Sequence, residues 1–330
     1  MGTWSQEQLT SQGVALADEG FHPVAPGDPS WNESIFFDWI SEGGQRAGHC
    51  RIGRFPGQGR LWVWVYVFER GRWFGFDEPG LTLDAMAADA WSAQSDLLTF
   101  AWSAETPLAK GRLTLRCSAH VIEGSDRGAA VPLAIDLIYE AAGPAHGMAS
   151  RNVRGKDGTT YKAGRFEQPC DVSGSVTLDG VAFPVDGRGE RDHSWGPRYW
   201  AMQWLFLVLA GSRVRAQCTE VIIGGRMRIC VGYVQTDAMR DLEDVSFDLT
   251  FDDDARVVSP FSGSVSARAG DVHLQGQLEP LAGVALDDSH CLPANTGSIY
   301  TRHLVRFIPA DGGEPVLGWL EAHRLEAPIP

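Results

Sequence analysis

The sequence lacks any run of basic residues, and its 28 Lys plus Arg are outnumbered by 42 Asp plus Glu, for a formal net charge of -14. Affinity for phosphate backbones comes from Lys and Arg displacing counterions, so nucleic acid and anionic membrane are poor partners. Long hydrophobic runs are also missing. The longest, Trp204 to Ala210, is about a third of what a bilayer-spanning helix needs, which argues against an integral membrane protein. The first twenty residues are polar and acidic, with no charged stretch leading into an apolar one, and Gln6 stands where a myristoylation signal wants Ser or Thr. The expectation is a soluble, cytoplasmic protein.

Cysteine is sparse. Cys50, Cys117, Cys170, Cys218, Cys230 and Cys291 form no C-x-x-C and no Cys/His cluster, which excludes a disulfide framework or structural zinc and leaves reduced, buried small hydrophobes. The chain contains no G-x-S-x-G elbow, no G-x-x-x-x-G-K-[ST] phosphate loop and no H-E-x-x-H. Nothing in it calls for a cofactor or a metal. Asp252-Asp253-Asp254 is a short acidic turn, better read as a solvated loop than as a Ca²⁺ site.

What the chain does have is 44% hydrophobic residues, with 38 Gly, 18 Pro, 12 Trp and 15 Phe, a mixture suited to short strands and tight turns. Leu61-Trp62-Val63-Trp64-Val65-Tyr66-Val67-Phe68 is a strand apolar on both faces. Further strands are predicted at 31–39, 49–55, 72–76, 97–103, 113–123 and 133–140. After a Gly/Pro-rich stretch from 141 to 162, others follow at 170–178, 181–185, 199–210, 213–223, 226–235, 244–251, 264–269, 272–279, 300–307 and 315–323. Asp179-Gly180 and Asp311-Gly312 read as type I′ hairpin turns. Only 83–91, rich in Ala, suggests a helix, apart from a short one in the first twenty residues. The architecture expected is all-β, two antiparallel β domains with few helices, spanning 1–165 and 166–330, the boundary lying in the loop-like middle.

The densest polar stretch is Asp186 to Trp200, which holds acids, arginines, one histidine and two tryptophans. On a strand, period-2 alternation puts Arg191, His193 and Trp195 on one face and Glu190, Asp192 and Ser194 on the other. A joint role for Asp192 and His193 would need a bulge near Gly189 or Gly196; without one, His193 is the better pocket residue. The alternative is a salt-bridged strand edge, with Asp192 and Glu190 paired to Arg188, Arg191 or Arg198.

Gly189-Glu190-Arg191-Asp192-His193-Ser194-Trp195-Gly196, followed by an aromatic, apolar strand, resembles the G-x-x-D-H-x-W-G motif of the carotenoid 1,2-hydratase (hydroxyneurosporene synthase) and AttH-like proteins. Trp31-Asn32-Glu33-Ser34 with Phe36-Phe37, and Gly318-Trp319-Leu320-Glu321, are similar to the start of the first barrel and the closing strand of the second in that family. The resemblance implies two lipocalin-like β-barrel domains, the second carrying the motif, and an apolar substrate, with Asp192, His193 and Trp195 carried over. The downstream acid of the hydratases has Glu220 as its nearest counterpart.

These residues suit acid-base chemistry at an alkene, whether hydration, isomerisation or cyclisation of a hydrophobic terpenoid, polyene or polyketide. Protonating an alkene needs an acid kept neutral by burial or an imidazolium, and an aromatic face steadies the cation that develops. Asp192, Glu220 and His193 are the catalytic candidates; Trp195, Tyr199, Trp204, Trp64 and Glu321 are the candidates to hold substrate. A non-catalytic carrier with the same aromatic-lined pocket is the competing reading, and exposed aromatic strands would also permit a homo-oligomer.

Overall fold

In the computed structural model, residues 4–225, 227–251 and 261–326 are described, and the chain divides into two compact units, Met1–Arg198 and Tyr199–Pro330. Antiparallel sheet makes up most of both. The strands of the first unit are β1 (Trp31–Ser41), β2 (Arg46–Phe55), β3 (Arg60–Glu69), β4 (Arg72–Thr82), β5 (Ser92–Gln94), β6 (Leu98–Thr106), β7 (Lys110–Val121), β8 (Ala130–Ala141), β9 (His146–Arg154), β10 (Thr160–Leu178) and β11 (Val181–Pro197). They are ordered β4-β3-β2-β1-β11-β10-β8-β7-β6-β5, with β9 on β10. Pairing of Phe74 with Val121 and of Gly75 with His120 joins β4 to β7 and closes the path.

The core of this unit is made by alternate residues, among them Phe37, Trp39, Ile52, Val63, Leu113 and Val172. The opposite faces of β1, β2 and β3 are shielded too, since Phe36, His49, Trp62, Trp64 and Tyr66 are all buried. That matches the two apolar faces of Leu61 to Phe68. A strand buried on both sides must be apolar on both, or hydrogen-bond its polar groups.

The second unit contains β12 (Gln203–Ala210), β13 (Arg215–Ile223), β14 (Met227–Gln235), β15 (Met239–Asp241), β16 (Asp244–Phe251), β17 (Phe261–Ala269), β18 (Val272–Leu286), β19 (Ser298–Pro309) and β20 (Val316–Leu325). Their order is β15-β14-β13-β12-β20-β19-β18-β17-β16. In both units the opening strand lies beside the closing one, β1 against β11 and β12 against β20. Leu207, Cys218, Val234, Val265 and Leu320 are among its core residues.

Four expectations are corrected. The units part at 198/199 rather than 165/166, because β10 and β11 form one long hairpin whose outer edges pair with β8 and β1 of the first unit. The motif therefore belongs to the first unit. The loop-like stretch 141–162 holds β9 and the start of β10, with Gly155 and Gly158 in the turn between them, where Gly155 N–H donates to the Thr159 carbonyl at 2.8 Å. The expected helix at 83–91 is a single 3₁₀ turn, Leu83–Ala85. Alanine propensity is worth only tenths of a kcal/mol per residue, and so short a segment with no helical apolar stripe cannot hold against strand pairing; Met86 bridges to Ala93 instead.

Turn chemistry divides. Asp179 (φ 49°) and Gly180 (φ 76°) are both left-handed, as a type I′ turn requires. Between β19 and β20 only Gly312 is left-handed, and the longer connection there is not a two-residue hairpin. Asp252-Asp253-Asp254 lies outside the described residues. None of the six cysteines is in a disulfide; Cys50, Cys170 and Cys218 are buried as expected, whereas Cys117, Cys230 and Cys291 are only half-buried. Among the described residues no helix is long and apolar enough to cross a membrane.

Candidate functional site

The register of β11 against β10 runs unbroken from Val181 to Trp195, and its pairing with β1 keeps one register from Gly187 to Pro197. No bulge intervenes, so alternation holds. His193 stands opposite Ile35 on the core face, while Asp192 stands opposite Phe36 on the other face. The sequence therefore supplies two polar clusters, one on each side of a single strand.

On the core face His193 is 1% exposed and fixed at both nitrogens. Its Nδ1 donates to the Asp18 carbonyl at 2.8 Å, and its Nε2 lies 3.0 Å from Glu33 Oε1. The same Glu33 oxygen meets His22 Nδ1 at 2.9 Å and the His22 backbone N–H at 3.0 Å. Arg54 Nε donates to the other oxygen at 2.8 Å. Burial alone would raise the Glu33 carboxyl, but the hydrogen bonds from His193 and His22, with the charges of His193 and Arg54, hold it down at about 2. Trp195 lies flat on His22, ring centroids 3.7 Å apart and 4° from parallel. One step along the strand, Arg191 forks onto Glu19 at 2.7 and 2.9 Å. His22, Glu33 and His193 are also the one group of possible metal ligands found among the described residues, their donor atoms all within 4.8 Å of one another.

On the opposite face Asp192 sits directly across from Glu167 of β10. Arg165 joins them, its Nη2 donating to Asp192 Oδ2 at 2.7 Å and its Nε to Glu167 Oε1 at 2.5 Å. Glu167 is fully buried, and its Oε2 has no hydrogen-bond partner among the described residues. Burial pushes its carboxyl well above the ordinary carboxylate range; the charges of Asp192 and Asp38 push the same way, and Arg165 opposes them only in part. Around this pair stand Ser194, 3.1 Å from the Ser34 hydroxyl, and Phe36, whose ring is 5.7 Å from that of Trp64. His49 meets Trp64 edge-on at 5.1 Å. The result is a carboxyl group suited to staying protonated, beside an ion-paired carboxylate, on a dry face with aromatic neighbours.

The remaining predicted residues belong to the second unit. Trp204 stacks on His323, centroids 3.9 Å apart, and its Nε1 donates to Glu321 Oε1 at 2.8 Å. Arg302 holds the other Glu321 oxygen at 2.7 Å; burial would raise that carboxyl, and Arg302 and Trp204 lower it. His323 lies between the Met202 carbonyl and Asp288 Oδ2, 2.7 Å from each. Glu220 is ion-paired with the half-exposed Arg228 at 2.5 Å, and Tyr199 is exposed. Of the predicted residues, then, His193 is brought together with Trp195, and Asp192 with the neighbourhood of Trp64. Trp204 meets Glu321 in a separate cluster, and Glu220 stands apart from it, on a different ion pair.

Sequence reasoning passed over Glu167, His22 and Glu33 as site residues. Arg165 and Glu167 at i and i+2 on a strand were the available signal for the first, hidden because the segment before Cys170 reads as loop. No spacing connects residues 22, 33 and 193.

Solved structures show the same architecture. An AttH-type protein from Nitrosomonas europaea superposes with a TM-score of 0.62 at 17% identity, over 94% of this chain and 100% of that one. Kievitone hydratase from Nectria haematococca gives 0.55 at 9% identity, over 98% and 97%, and CghA gives 0.54 at 13%, over 91% and 89%. These likenesses establish the fold as two lipocalin-like antiparallel β units. Among curated proteins no sequence matches. Residues 15–326 match the family described as Domain of unknown function (DUF7064), and the chain belongs to that family.

Proposed function

We propose that the Asp192 face of the first unit is the centre of a cofactor-independent acid-base enzyme acting on an alkene of a hydrophobic terpenoid, polyene or polyketide. The observation that carries this reading is Glu167, a fully buried carboxyl raised above its ordinary range, with one oxygen unpartnered and an ion-paired carboxylate across from it. A protonated Oε2 is a donor that finds no acceptor among the described residues, which leaves it for a substrate. Kievitone hydratase, with the same fold, is by its name a hydratase, which supports the same class of chemistry.

In the reaction Glu167 gives its proton to one alkene carbon, and positive charge develops on the other. The faces of Phe36 and Trp64 favour that charge by order of ~1 to 2 kcal/mol in a dry site. Asp192 then takes a proton, either from the water that adds to the cation or from a neighbouring carbon, giving hydration or isomerisation. Attack by a second double bond gives cyclisation, ended by the same proton loss. One proton enters from Glu167 and one leaves to Asp192, and exchange between the two resets the pair. His193, on the other side of β11, positions the strand.

The test starts from ligand extracted from the protein purified from its own host and identified by mass spectrometry, then incubated with the protein in D₂O. New C–D bonds, abolished in Glu167→Gln with binding retained, support the reading; acid catalysis contributes about 10² to 10⁴-fold. Tight binding with no deuterium incorporated and no product would overturn it in favour of a carrier.

A further inference from the structure

The core face of β11 poses a hydrogen-bonding problem that the acid-base reading does not use. The Asp18 carbonyl can only accept, so His193 Nδ1, 2.8 Å away, carries a hydrogen. In a neutral ring the Nε2 lone pair then points at Glu33 Oε1, 3.0 Å away, which is another acceptor. His22 repeats the pattern: its Nε2 is 3.4 Å from Asp18 Oδ1, and its Nδ1 is 2.9 Å from the same Glu33 oxygen. Both imidazole nitrogens face one carboxylate oxygen, so either ring protons or a bound cation must lie between them.

The surroundings match what metal-binding histidines use. Each ring has its far nitrogen tied to an oxygen of Asp18, one to the carboxylate and one to the carbonyl, the outer contacts that fix a ligand's tautomer and orientation. Glu33 Oε2 is held by Arg54, leaving Oε1 aimed inward. Rotation is blocked: Trp195 covers His22 at 3.7 Å, while Trp91, Phe166 and Trp195 pack edge-on to His193 at 5.3 to 5.8 Å. The donor separations of 2.9 and 3.0 Å are a few tenths short of the spacing, about 3.3 Å, between ligands on a tetrahedral ion with bonds of ~2.0 to 2.1 Å. The third separation, between the two imidazole nitrogens, is within 4.8 Å, and small shifts of the Glu33 carboxylate and of His22 would bring all three donors to that spacing.

We propose that His22 Nδ1, Glu33 Oε1 and His193 Nε2 bind a divalent metal ion of the Zn²⁺ class. Two imidazoles and one carboxylate suit a borderline ion and not Mg²⁺ or Ca²⁺, which take oxygen ligands. The ion ties the segment carrying Asp18 and His22 to β1 and β11. The site lies across the sheet from Glu167, so it stands or falls independently of the acid-base reading.

The experiment uses the full chain, stripped with a chelator and titrated with Zn²⁺ and with Co²⁺. Uptake of about one ion per chain, visible Co²⁺ bands and a raised unfolding temperature are expected. Asp18→Asn weakens binding about 10 to 100-fold, and His22→Ala, at the least buried ligand, weakens it further and removes the Co²⁺ bands. Glu167→Gln leaves the stoichiometry unchanged. Absence of uptake, or uptake undiminished in both His22→Ala and Glu33→Gln, overturns the proposal; the converging lone pairs are then satisfied by protons.

Discussion

Glu167 and Asp192 face each other across β10 and β11, the one fully buried with a bare oxygen, the other ion-paired with Arg165. The protonated form of Glu167 is the one that can donate, so turnover is full below its raised pKa and falls as the pH climbs through it. Asp192 is one of the charges that raise it. Asp192→Asn therefore moves the alkaline limb of kcat/KM to lower pH, besides lowering the maximum. A pH profile of wild type and variant checks this, and an alkaline limb that stays in place would separate Asp192 from the titration of Glu167.

The same carboxyl has a stability consequence. Its folded value is raised above the ordinary 4.5, so folding takes up a proton over the interval between the two values. Stability that is fully present below the unfolded value is lost as pH rises through the folded one, at about 1.4 kcal/mol per pH unit. Glu167→Gln, which cannot ionise, removes that slope, and the variant gains on wild type as the pH rises. Urea unfolding across the interval reads the difference directly; parallel curves would mean that Glu167 is not protonated in the folded chain.

Much of the fold is legible in single segments, and the site is not. Leu61 to Phe68 could be placed as a strand buried on both faces because its own residues say so, and the opposite facing of Asp192 and His193 follows from period-2 alternation alone. The domain boundary failed because the Gly and Pro residues of 141–162 were taken as linker signals, whereas Gly147 sits inside β9 and Gly155 and Gly158 lie in the turn from β9 to β10, all within the first unit. The cluster of His22, Glu33 and His193 joins three residues far apart in sequence, whose encounter depends on β1 returning beside β11. Glu167 owes its character to burial and to the charges of Asp192 and Asp38, which no local pattern carries.

Two glycines separate steric need from conformational need. A Cβ on Gly189 would lie 2.0 Å from the Asp38 carbonyl oxygen, where backbone of β1 packs against β11. Gly180 has open space around it and only a left-handed φ of 76° to satisfy. Gly180→Ala should cost about 1 to 2 kcal/mol, the ordinary penalty for a side chain in that region. Gly189→Ala should cost more than about 3 kcal/mol, because neither strand can move without breaking the ladder and the Asp38 hydrogen bond to the Glu190 N–H. Denaturant midpoints of the two variants decide it; equal losses would show that β1 and β11 can part.

Arg191 and Glu19 form a buried pair in which the acid is the pH-sensitive partner. Burial would raise the Glu19 carboxyl, but the charge and hydrogen bonds of Arg191, with the Leu108 N–H, bring it down to about 2 from 4.5. A depressed folded value contributes stability above the unfolded one and loses it as the pH falls, here from 4.5 to about 2, a contribution of about 3 kcal/mol. Glu19→Gln leaves the Arg191 guanidinium buried without its counter-charge, at a cost of about 3 to 5 kcal/mol near neutrality. Toward the acid end wild type loses the same interaction by protonation, so the gap between the two proteins narrows. Unfolding free energies measured near neutral pH and near the Glu19 value should converge in this way. A gap that stays constant would mean that Glu19 acts by shape and hydrogen bonding alone, with its charge contributing nothing.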